Sequence, residues 1–160
     1  GNAACGLCYE GLAWATGAAV MAAGAMPSSR SLLLAFLYSL GAHGIMTLND
    51  FKSIDGDRRM GIASLPVQLG VKGAAWAACA TMALPQVVVI ALLLSWGAGW
   101  HALAVSGLLA VQLVLMARFL ASPRERATWY SALGVNFFVI GMLVSAFALR
   151  AASGVAGAAA

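Results

Sequence analysis

NDFKSIDGDRRMG, residues Asn49–Gly61, is a short charged segment in a chain that is otherwise almost entirely apolar. It contains three of the five acidic residues and three of the nine basic ones. Isolated charges inside hydrocarbon are costly, so a segment of this kind belongs at a membrane surface or in a polar cavity. It therefore divides the apolar sequence into separate spans, and it is where we expect the chemistry of the protein.

The composition of the whole chain is that of a membrane protein. Hydrophobic residues make up 62% of the 160 residues, charged residues make up 9%, and the mean hydropathy is +0.92. A soluble domain carries about 25% charged residues, so an ordinary soluble globule is excluded. The net charge is +4, but the sequence has no basic stripe with interleaved aromatic residues of the kind that is typical of nucleic-acid binding. We predict an all-α, polytopic transmembrane helix bundle in which small residues let the helices pack closely.

Hydropathy predicts five spans, each near the roughly 20 residues that cross a bilayer core of about 30 Å. Residues 1–150 are expected to form one transmembrane domain with a polar loop at 49–70, and the Ala/Gly-rich tail 151–160 is expected to fray. Pro85 lies inside the third span, where we expect a kink. The chain starts at Gly1 and enters an apolar span at once, so we expect a piece of a longer protein, cut at its N-terminus. The predicted spans are Ala3–Met26, Ser31–Leu48, Ala74–Ser95, Trp100–Leu120 and Tyr130–Leu149.

The basic residues are divided unequally between the two sides of the predicted bundle. Only Arg30 and Arg150 fall in one set of alternate connections. The positive-inside rule therefore predicts that the charged loop is cytoplasmic and that Trp96, Trp100 and His101 lie at the opposite interface. The seven basic residues on the predicted cytoplasmic side are Lys52, Arg58, Arg59, Lys72, Arg118, Arg124 and Arg126.

The three cysteines give a weaker signal. Cys5 and Cys8 form a C-x-x-C pair, which could indicate a metal or redox site. No second pair exists, and the neighbouring residues are small or apolar. We interpret these two residues and Cys79 as small residues that pack between helices.

The charged segment has the composition of a metal site. With a period of 3.6 residues, Asp50, Ser53 and Asp57 fall on one face of a helix, and Asn49 lies beside them. Asp55 points elsewhere if that helix continues. Hard oxygen ligands of this kind suit Mg²⁺, which takes one or two carboxylates and completes its shell with water and phosphate oxygens.

The basic side chains of the same segment suit a diphosphate. Lys52, Arg58 and Arg59 can all contact phosphate oxygens, the arginines in forked geometry. The residues alone leave a second interpretation open, a solvated loop whose aspartates balance its arginines. Lys72 is better explained as an anchor that sets the topology.

A longer pattern around this segment resembles a known family. The run NDFKSIDGDRRMGIASLPVQLG (Asn49–Gly70) is similar to the second aspartate-rich motif of the UbiA superfamily of intramembrane prenyltransferases. Within that superfamily it most resembles the chlorophyll and bacteriochlorophyll synthases, especially the bacterial ones. Most of the chain is covered by the resemblance. Further matching residues are Gly6, Tyr9, Trp14 and Gly17 in the first span and Leu37-Tyr38-Ser39 before the motif.

The resemblance implies nine transmembrane helices around a central cavity, of which this chain would supply the last five. It also implies two aspartate-rich motifs that hold Mg²⁺ and a prenyl diphosphate on the cytoplasmic side. The first motif, N-x-x-x-D-x-x-x-D, is absent here, so we expect half of the metal site and no activity from this chain alone. Many superfamily members have Asp where this chain has Ser53. The implied metal ligands are Asp50 and Asp57, then Asp55, with Asn49 as a further oxygen ligand. The implied catalytic residues are Asp50, Asp57 and Lys52. The implied diphosphate contacts are Lys52, Arg58 and Arg59.

The implied reaction is the Mg²⁺-dependent transfer of a geranylgeranyl or phytyl group from its diphosphate to the propionate carboxylate of bacteriochlorophyllide. Such a protein would lie in a bacterial inner (intracytoplasmic) membrane, with photosynthetic assembly proteins as candidate partners and no nucleic acid. Two alternatives stay open: a prenyltransferase of this superfamily acting on a quinone or haem precursor, and a non-catalytic pigment-binding assembly subunit. A small transporter or channel is disfavoured because ionisable residues are scarce at mid-span.

Three residues of the first two spans are candidates for a pigment cavity. Glu10 is an intramembrane carboxylate, which is functional by default, although it could instead reach the interface. Tyr9 could hydrogen-bond a phosphate or pigment group. His43 could ligate the pigment magnesium, since neutral imidazole is a good metal ligand, or it could be a hydrogen-bonded packing residue.

Overall fold

A computed structural model describes the backbone of residues 2–158 and the side chains of residues 4–151, and every regular element in it is a helix. The predicted all-α class is confirmed. The last helix continues through Ala158, and the end of the tail that was predicted to fray, residues 159 and 160, lies outside the described residues. The elements are α1 (Asn2–Gly6), a π-helical segment (Leu7–Leu12), α2 (Ala13–Met21), α3 (Ser29–Asp50), α4 (Ile54–Arg59), α5 (Leu65–Ser95), α6 (Gly99–Ala121) and α7 (Pro123–Ala158).

Four of the five predicted spans are present as single long helices. Helices α3, α5, α6 and α7 are long and apolar enough to cross a membrane, by length and composition. The first predicted span is not among these four, because the π-helical segment divides it into shorter elements. The protein is therefore an integral membrane protein whose described chain has four uninterrupted spans and one interrupted helical segment.

The interrupted segment also ends earlier than predicted. Its helix stops at Met21, and Ala23 and Gly24 follow with φ values of +53° and +88°, a left-handed backbone that terminates helices. The π-helical segment lies against α3. A Cβ added to Gly11 would stand only 2.5 Å from Ser39 Oγ, so the absence of a side chain allows the two helices to touch.

Helix α5 departs from regular geometry at Gly70 rather than at Pro85. Gly70 has φ +72° and ψ 166°, the one non-helical backbone inside Leu65–Ser95, and a positive φ is a conformation that glycine adopts without strain. The helix continues through Pro85 with helical backbone angles. The break therefore separates the first turns of α5, which follow the charged loop, from the long part that spans the apolar layer.

Helix α3 is central to the packing. It contacts α5, α7 and the N-terminal helices, while α6 packs against α5 and α7. Gly44 allows the close approach of α3 to α5, because a Cβ there would lie 2.5 Å from the carbonyl oxygen of Ala78. Small residues at helix crossings are expected where lipid removes the hydrophobic drive between helices. The largest apolar and aromatic side chains buried in this core are Leu34, Tyr38, Leu48, Met82, Leu93, Phe119, Tyr130 and Phe138.

Buried hydrogen bonds join the helices across the core. Gln86 Nε2 in α5 donates to Gln112 Oε1 in α6 at 2.8 Å, and Gln112 Nε2 donates to the Tyr130 hydroxyl in α7 at 3.2 Å. The hydroxyls of Tyr38 and Ser145 lie 2.8 Å apart and join α3 to α7. Polar side chains that bond across helices stabilise membrane bundles and fix their register.

The tryptophan-containing end and the charged end of the bundle lie opposite each other, as the distribution of positive charges predicted. Arg30, at the start of α3, lies over the ring of Trp96, 5.1 Å from its centroid. Asp55 and Arg124 meet at the other end. The tryptophans near residue 96 are thus at the end opposite the charged loop, as predicted, while the side of the membrane stays a prediction.

Candidate functional site

Two apolar side chains fix the charged loop to the bundle. Helix α3 ends at Asp50, a turn covers residues 51–53, and α4 follows. Phe51 and Ile54 are only 5% and 2% exposed, and the Phe51 ring packs edge-on against Phe119 at 5.8 Å. The charged residues between and after these anchors therefore stand on a surface whose position is set by core packing.

Asp50, Ser53 and Asp57 are linked by hydrogen bonds, although α3 ends at Asp50 and a turn separates it from α4, so they do not share one face of a single helix as predicted. The Ser53 hydroxyl donates to Asp57 Oδ2 at 2.9 Å, and the Asp50 carbonyl oxygen is a second acceptor at 3.2 Å. Both aspartates are partly buried, whereas Asn49 beside them is exposed. The serine therefore occupies a position between the two residues predicted to hold the metal.

Asp55 points away from this cluster and pairs with another part of the chain. Its Oδ2 accepts a hydrogen bond at 2.6 Å from Nη2 of Arg124, which lies in the first turn of α7. The helix α4 continues through Gly56, so the condition under which Asp55 would turn inward is not met. Arg124 was predicted only as one of seven basic residues on this side, and its pairing was not predicted.

The three basic residues predicted to contact the diphosphate are accessible to an anionic group at the surface. Lys52, Arg58 and Arg59 are all exposed, and the two arginines end α4. Their charges stand at the same end of the bundle as the carboxylates of Asp50 and Asp57. The arrangement provides both an oxygen ligand set and a cationic surface within one short segment.

The donor set fits a hydrated Mg²⁺ better than a metal enclosed by protein. Among the described residues, no group of three or more His, Cys, Asp and Glu side chains is close enough to hold a metal. Asp50 and Asp57 supply two carboxylates, and the Ser53 hydroxyl contacts the Asp57 carboxylate and the backbone carbonyl oxygen of Asp50. Mg²⁺ commonly takes one or two carboxylates together with waters and phosphate oxygens. Cys5, Cys8 and Cys79 are all free thiols, which agrees with their interpretation as packing residues.

An apolar pocket lies deeper in the bundle, on the same side of α3 as Asp50. It has a volume of about 540 Å³ and is bounded by the π-helical segment, α3 and α5. His43 lines it, whereas Tyr9 and Glu10 are not among its lining residues; Tyr9 is 72% exposed and Glu10 is partly buried. The structure thus separates His43 from the other two residues predicted for a pigment cavity. The lining is Leu7, Phe36, Ser39, Leu40, His43, Ala80, Thr81, Leu84 and Pro85.

A second cavity, of about 570 Å³, lies near the ends of α6 and α7 and is lined by Arg118, Arg126 and Trp129. The Arg126 guanidinium donates to the Arg118 carbonyl oxygen at 2.8 Å, so it covers the last turn of α6. Cations near a helix C-terminus interact favourably with its dipole. The position of these arginines is therefore explained by their interaction with the C-terminal end of α6.

Comparison with known proteins agrees with this arrangement. The model of the UbiA prenyltransferase family matches residues 1–140. The chain is 53% identical over 144 residues to the bacteriochlorophyll synthase 33 kDa chain of Cereibacter sphaeroides, which covers 90% of this chain and 47% of that protein. It is 46% identical over 151 residues to the bacteriochlorophyll synthase 34 kDa chain of Chloroflexus aurantiacus, covering 94% and 48%.

A plant relative is more distant. The chloroplastic chlorophyll synthase of Avena sativa is 41% identical over 149 residues, which are 92% of this chain and 39% of that protein. The chain thus spans about half the length, or less, of the curated relatives it matches. No solved structure matches it. With a family model that covers residues 1–140 and a helical bundle that carries the aspartate-rich loop, the chain belongs to the UbiA prenyltransferase family.

Proposed function

We propose that the full-length protein is a bacteriochlorophyll synthase. It would transfer a geranylgeranyl or phytyl group from its diphosphate to the propionate carboxylate of bacteriochlorophyllide. The observation that carries the proposal is the aspartate-rich loop at one end of the apolar bundle, in which Ser53 joins Asp50 to Asp57. The names of the relatives at 46% and 53% identity support this choice of acceptor.

Asp50 and Asp57 would hold Mg²⁺, with Asn49 as a further oxygen ligand. When bound, the ion would neutralise charge on the departing diphosphate. Ser53 would keep the Asp57 carboxylate turned toward this position, since its hydroxyl donates to Asp57 Oδ2. Asp55 would support the loop through Arg124 instead of binding metal, because its carboxylate is already paired.

The basic side chains would bind and orient the diphosphate. Lys52, Arg58 and Arg59 are exposed around the carboxylates, so they can reach phosphate oxygens without first breaking a buried contact. Charge stabilisation of a leaving group by fixed donors is a large term in catalysis. Lys52 lies between the buried anchors Phe51 and Ile54, and we assign it the contact to the leaving oxygen.

The transfer itself needs no nucleophile from the protein. The allylic carbon–oxygen bond breaks and its electron pair leaves with the diphosphate, while a carboxylate oxygen of the acceptor forms the new ester bond to the same carbon. The protein holds the two substrates in contact, and the apolar walls exclude water that would otherwise capture the allylic cation. The loop would lie on the cytoplasmic face of a bacterial inner, intracytoplasmic membrane, as the distribution of positive charges predicts.

The test is prenyl transfer by the full-length protein in membranes, with bacteriochlorophyllide, geranylgeranyl diphosphate and Mg²⁺. We expect Asp50→Asn and Asp57→Asn to lower the rate by at least about a hundredfold, in the range for removing a key electrostatic group. Asp55→Asn is the matched control and should retain most of the rate, because the Asp55 carboxylate pairs with Arg124. Equal rates in all three variants would refute the assignment of the site, and esterification of only a quinone or haem precursor by the wild type would refute the acceptor.

A further inference from the structure

Two arginines and a tryptophan line the cavity at the end of α6 and the start of α7. Arg118 lies in the last turn of α6, Arg126 lies in the first turn of α7, and Trp129 follows it by three residues on the same face of that helix. The cavity has a volume of about 570 Å³. Within the described part of the chain, no residue of the charged loop lines it, so it is separate from the site proposed for the metal and the diphosphate.

The cavity carries positive charge that no carboxylate neutralises. One N–H of Arg126 donates to the Arg118 carbonyl oxygen at 2.8 Å, but a guanidinium has five such donors. Among the residues that the structure describes, Arg124 and Asp55 form the one ion pair, so Glu125 neutralises neither arginine of the cavity. Two guanidinium groups on one cavity repel each other, and a bound anion would remove that repulsion.

A phosphate group matches these donors. A guanidinium presents paired N–H groups that bind two oxygens of one phosphate, and here the two guanidinium groups come from two different helices. Both side chains are exposed, so an anion can reach them without displacing buried side chains. The cavity therefore has the charge and the donor geometry of a phosphate site.

The depth of the cavity in the membrane indicates a lipid as the source of the phosphate. Helices α6 and α7 are long and apolar enough to cross a membrane, and the cavity lies where α6 ends and α7 begins. Trp129 is partly buried against the core, and tryptophan is favoured at the level of the lipid headgroups. A phospholipid beside these two helices therefore carries its phosphate at the level of the arginines.

Apolar side chains continue from the cavity toward the middle of both spans. Val114 lies four residues before Arg118 on α6, and Leu133 lies four residues after Trp129 on α7, so each shares a helix face with a lining residue. Val114 is 58% exposed and Leu133 is 45% exposed. An acyl chain attached to a phosphate in the cavity would therefore find apolar surface along both helices.

We propose that Arg118 and Arg126 bind the phosphate of an anionic phospholipid, with Trp129 beside its glycerol backbone and its acyl chains along α6 and α7. Basic pockets between transmembrane helices are known to bind anionic headgroups. A zwitterionic lipid is disfavoured because its headgroup cation would lie near the two arginines. The inference goes beyond the proposed function and does not depend on it, since the lipid takes no part in the transfer.

The experiment measures lipid binding to the detergent-purified full-length protein by native mass spectrometry. Phosphatidylglycerol and phosphatidylcholine are titrated separately into wild type, Arg118→Gln and Arg124→Gln. We expect wild type to bind the first phosphatidylglycerol at least about tenfold more tightly than phosphatidylcholine, and Arg118→Gln to lose this preference, because a hydrogen bond between charged groups is removed. Arg124→Gln is the matched control, since it removes the same charge from the same turn of α7 but outside the cavity, and it should keep the preference.

Arg118→Gln is chosen because it leaves the contact between the helices intact. Arg126 bonds the backbone carbonyl oxygen of residue 118, which the substitution does not remove, so the unfolding midpoint should stay unchanged. An unchanged lipid preference in Arg118→Gln would overturn the proposal, as would an equal loss of preference in Arg124→Gln.

Competition in the wild-type protein identifies the source of the phosphate without any variant. Inorganic phosphate and inorganic diphosphate are added in excess to the complex with phosphatidylglycerol, and we expect neither to displace the lipid, because they lack acyl chains. Displacement by inorganic phosphate would show that the cavity takes a soluble anion. Displacement by diphosphate alone would assign the two arginines to the substrate of the proposed reaction. Either result, or equal affinity of wild type for the two lipids, would reject the lipid site.

Discussion

Nη2 of Arg124 lies 2.6 Å from Oδ2 of Asp55, and this ion pair joins α4 to the first turn of α7, 69 residues further along the chain. It draws Asp55 away from Asp50 and Asp57 although all three belong to one motif. The pair is more than half exposed on both sides, and exposed pairs contribute about 0–1 kcal/mol. Its consequence is therefore the orientation of the loop rather than the stability of the fold.

The first prediction concerns this pair. We expect Arg124→Gln to change the free energy of unfolding by less than about 1 kcal/mol while speeding amide hydrogen exchange in residues 54–59. Exchange measured at low and high salt should differ in wild type and not in the variant, because salt screens exposed charges. Arg150→Gln is the control, since that residue lies on the other set of connections. Identical exchange in Arg124→Gln and wild type would contradict a role for the pair in ordering α4.

The second prediction concerns the crossing of α3 and α5. Gly44→Ala places a Cβ 2.5 Å from both the Ala78 carbonyl oxygen and Met82 Cγ, so the helices must separate. We expect a loss of about 1–3 kcal/mol, the usual cost of overpacking, seen as a lower unfolding midpoint in detergent. Gly107→Ala is the matched control, because a Cβ there meets nothing within 4 Å. Equal midpoints for the two variants would mean that this crossing is looser than described.

The third prediction concerns the buried amides. Gln86→Leu removes the bond to Gln112 and leaves Gln112 Oε1 without that donor inside the bundle. A double-mutant cycle with Gln112→Leu should give a coupling energy of about 0.6 kcal/mol, and up to about 1.7, as for other hydrogen bonds in membranes. Unfolding in mixed micelles provides the measurement. Strict additivity of the two substitutions would exclude a direct interaction.

The fourth prediction concerns Ser53. Ser53→Ala removes the hydrogen bond to Asp57 and should raise the Mg²⁺ concentration needed for half-maximal transfer by the full-length protein a few-fold. Ser53→Asp adds a further carboxylate beside Asp57 and should lower that concentration, because the additional negative charge attracts the cation. A Mg²⁺ dependence that neither substitution alters would show that the metal is held elsewhere.

Much of the charged loop could be predicted from its sequence. The spacing of Asp50, Ser53 and Asp57 predicted that they lie close together, and the Ser53 hydroxyl does contact Asp50 and Asp57. The proximity could be predicted because the residues are near neighbours in the chain, but the end of α3 at Asp50 and the turn before α4 were not predicted. The partner of Asp55 could not be predicted, since Arg124 approaches only after α5, α6 and their connections have packed.

The four long helices could also be predicted from the sequence, but the local breaks in the helices could not. Runs of apolar residues identify α3, α5, α6 and α7, because crossing a bilayer requires length and hydrophobicity that are visible in any single segment. The π-helical segment and the break at Gly70 were missed. The π-helical segment places Gly11 against Ser39 of α3, a tertiary contact. At Gly70 the backbone takes a positive φ with no neighbour within 4 Å, whereas the kink had been predicted at Pro85.

The sequence by itself determined the membrane class, the helical architecture, the family and the segment that carries the carboxylates, because each depends on composition or on order along one stretch of chain. Only the tertiary structure decided which groups meet: Asp55 with Arg124, Gln86 with Gln112, and His43 with an apolar pocket between three helical segments. These contacts join residues far apart in the chain, and their geometry follows from how closely the small residues allow the helices to pack.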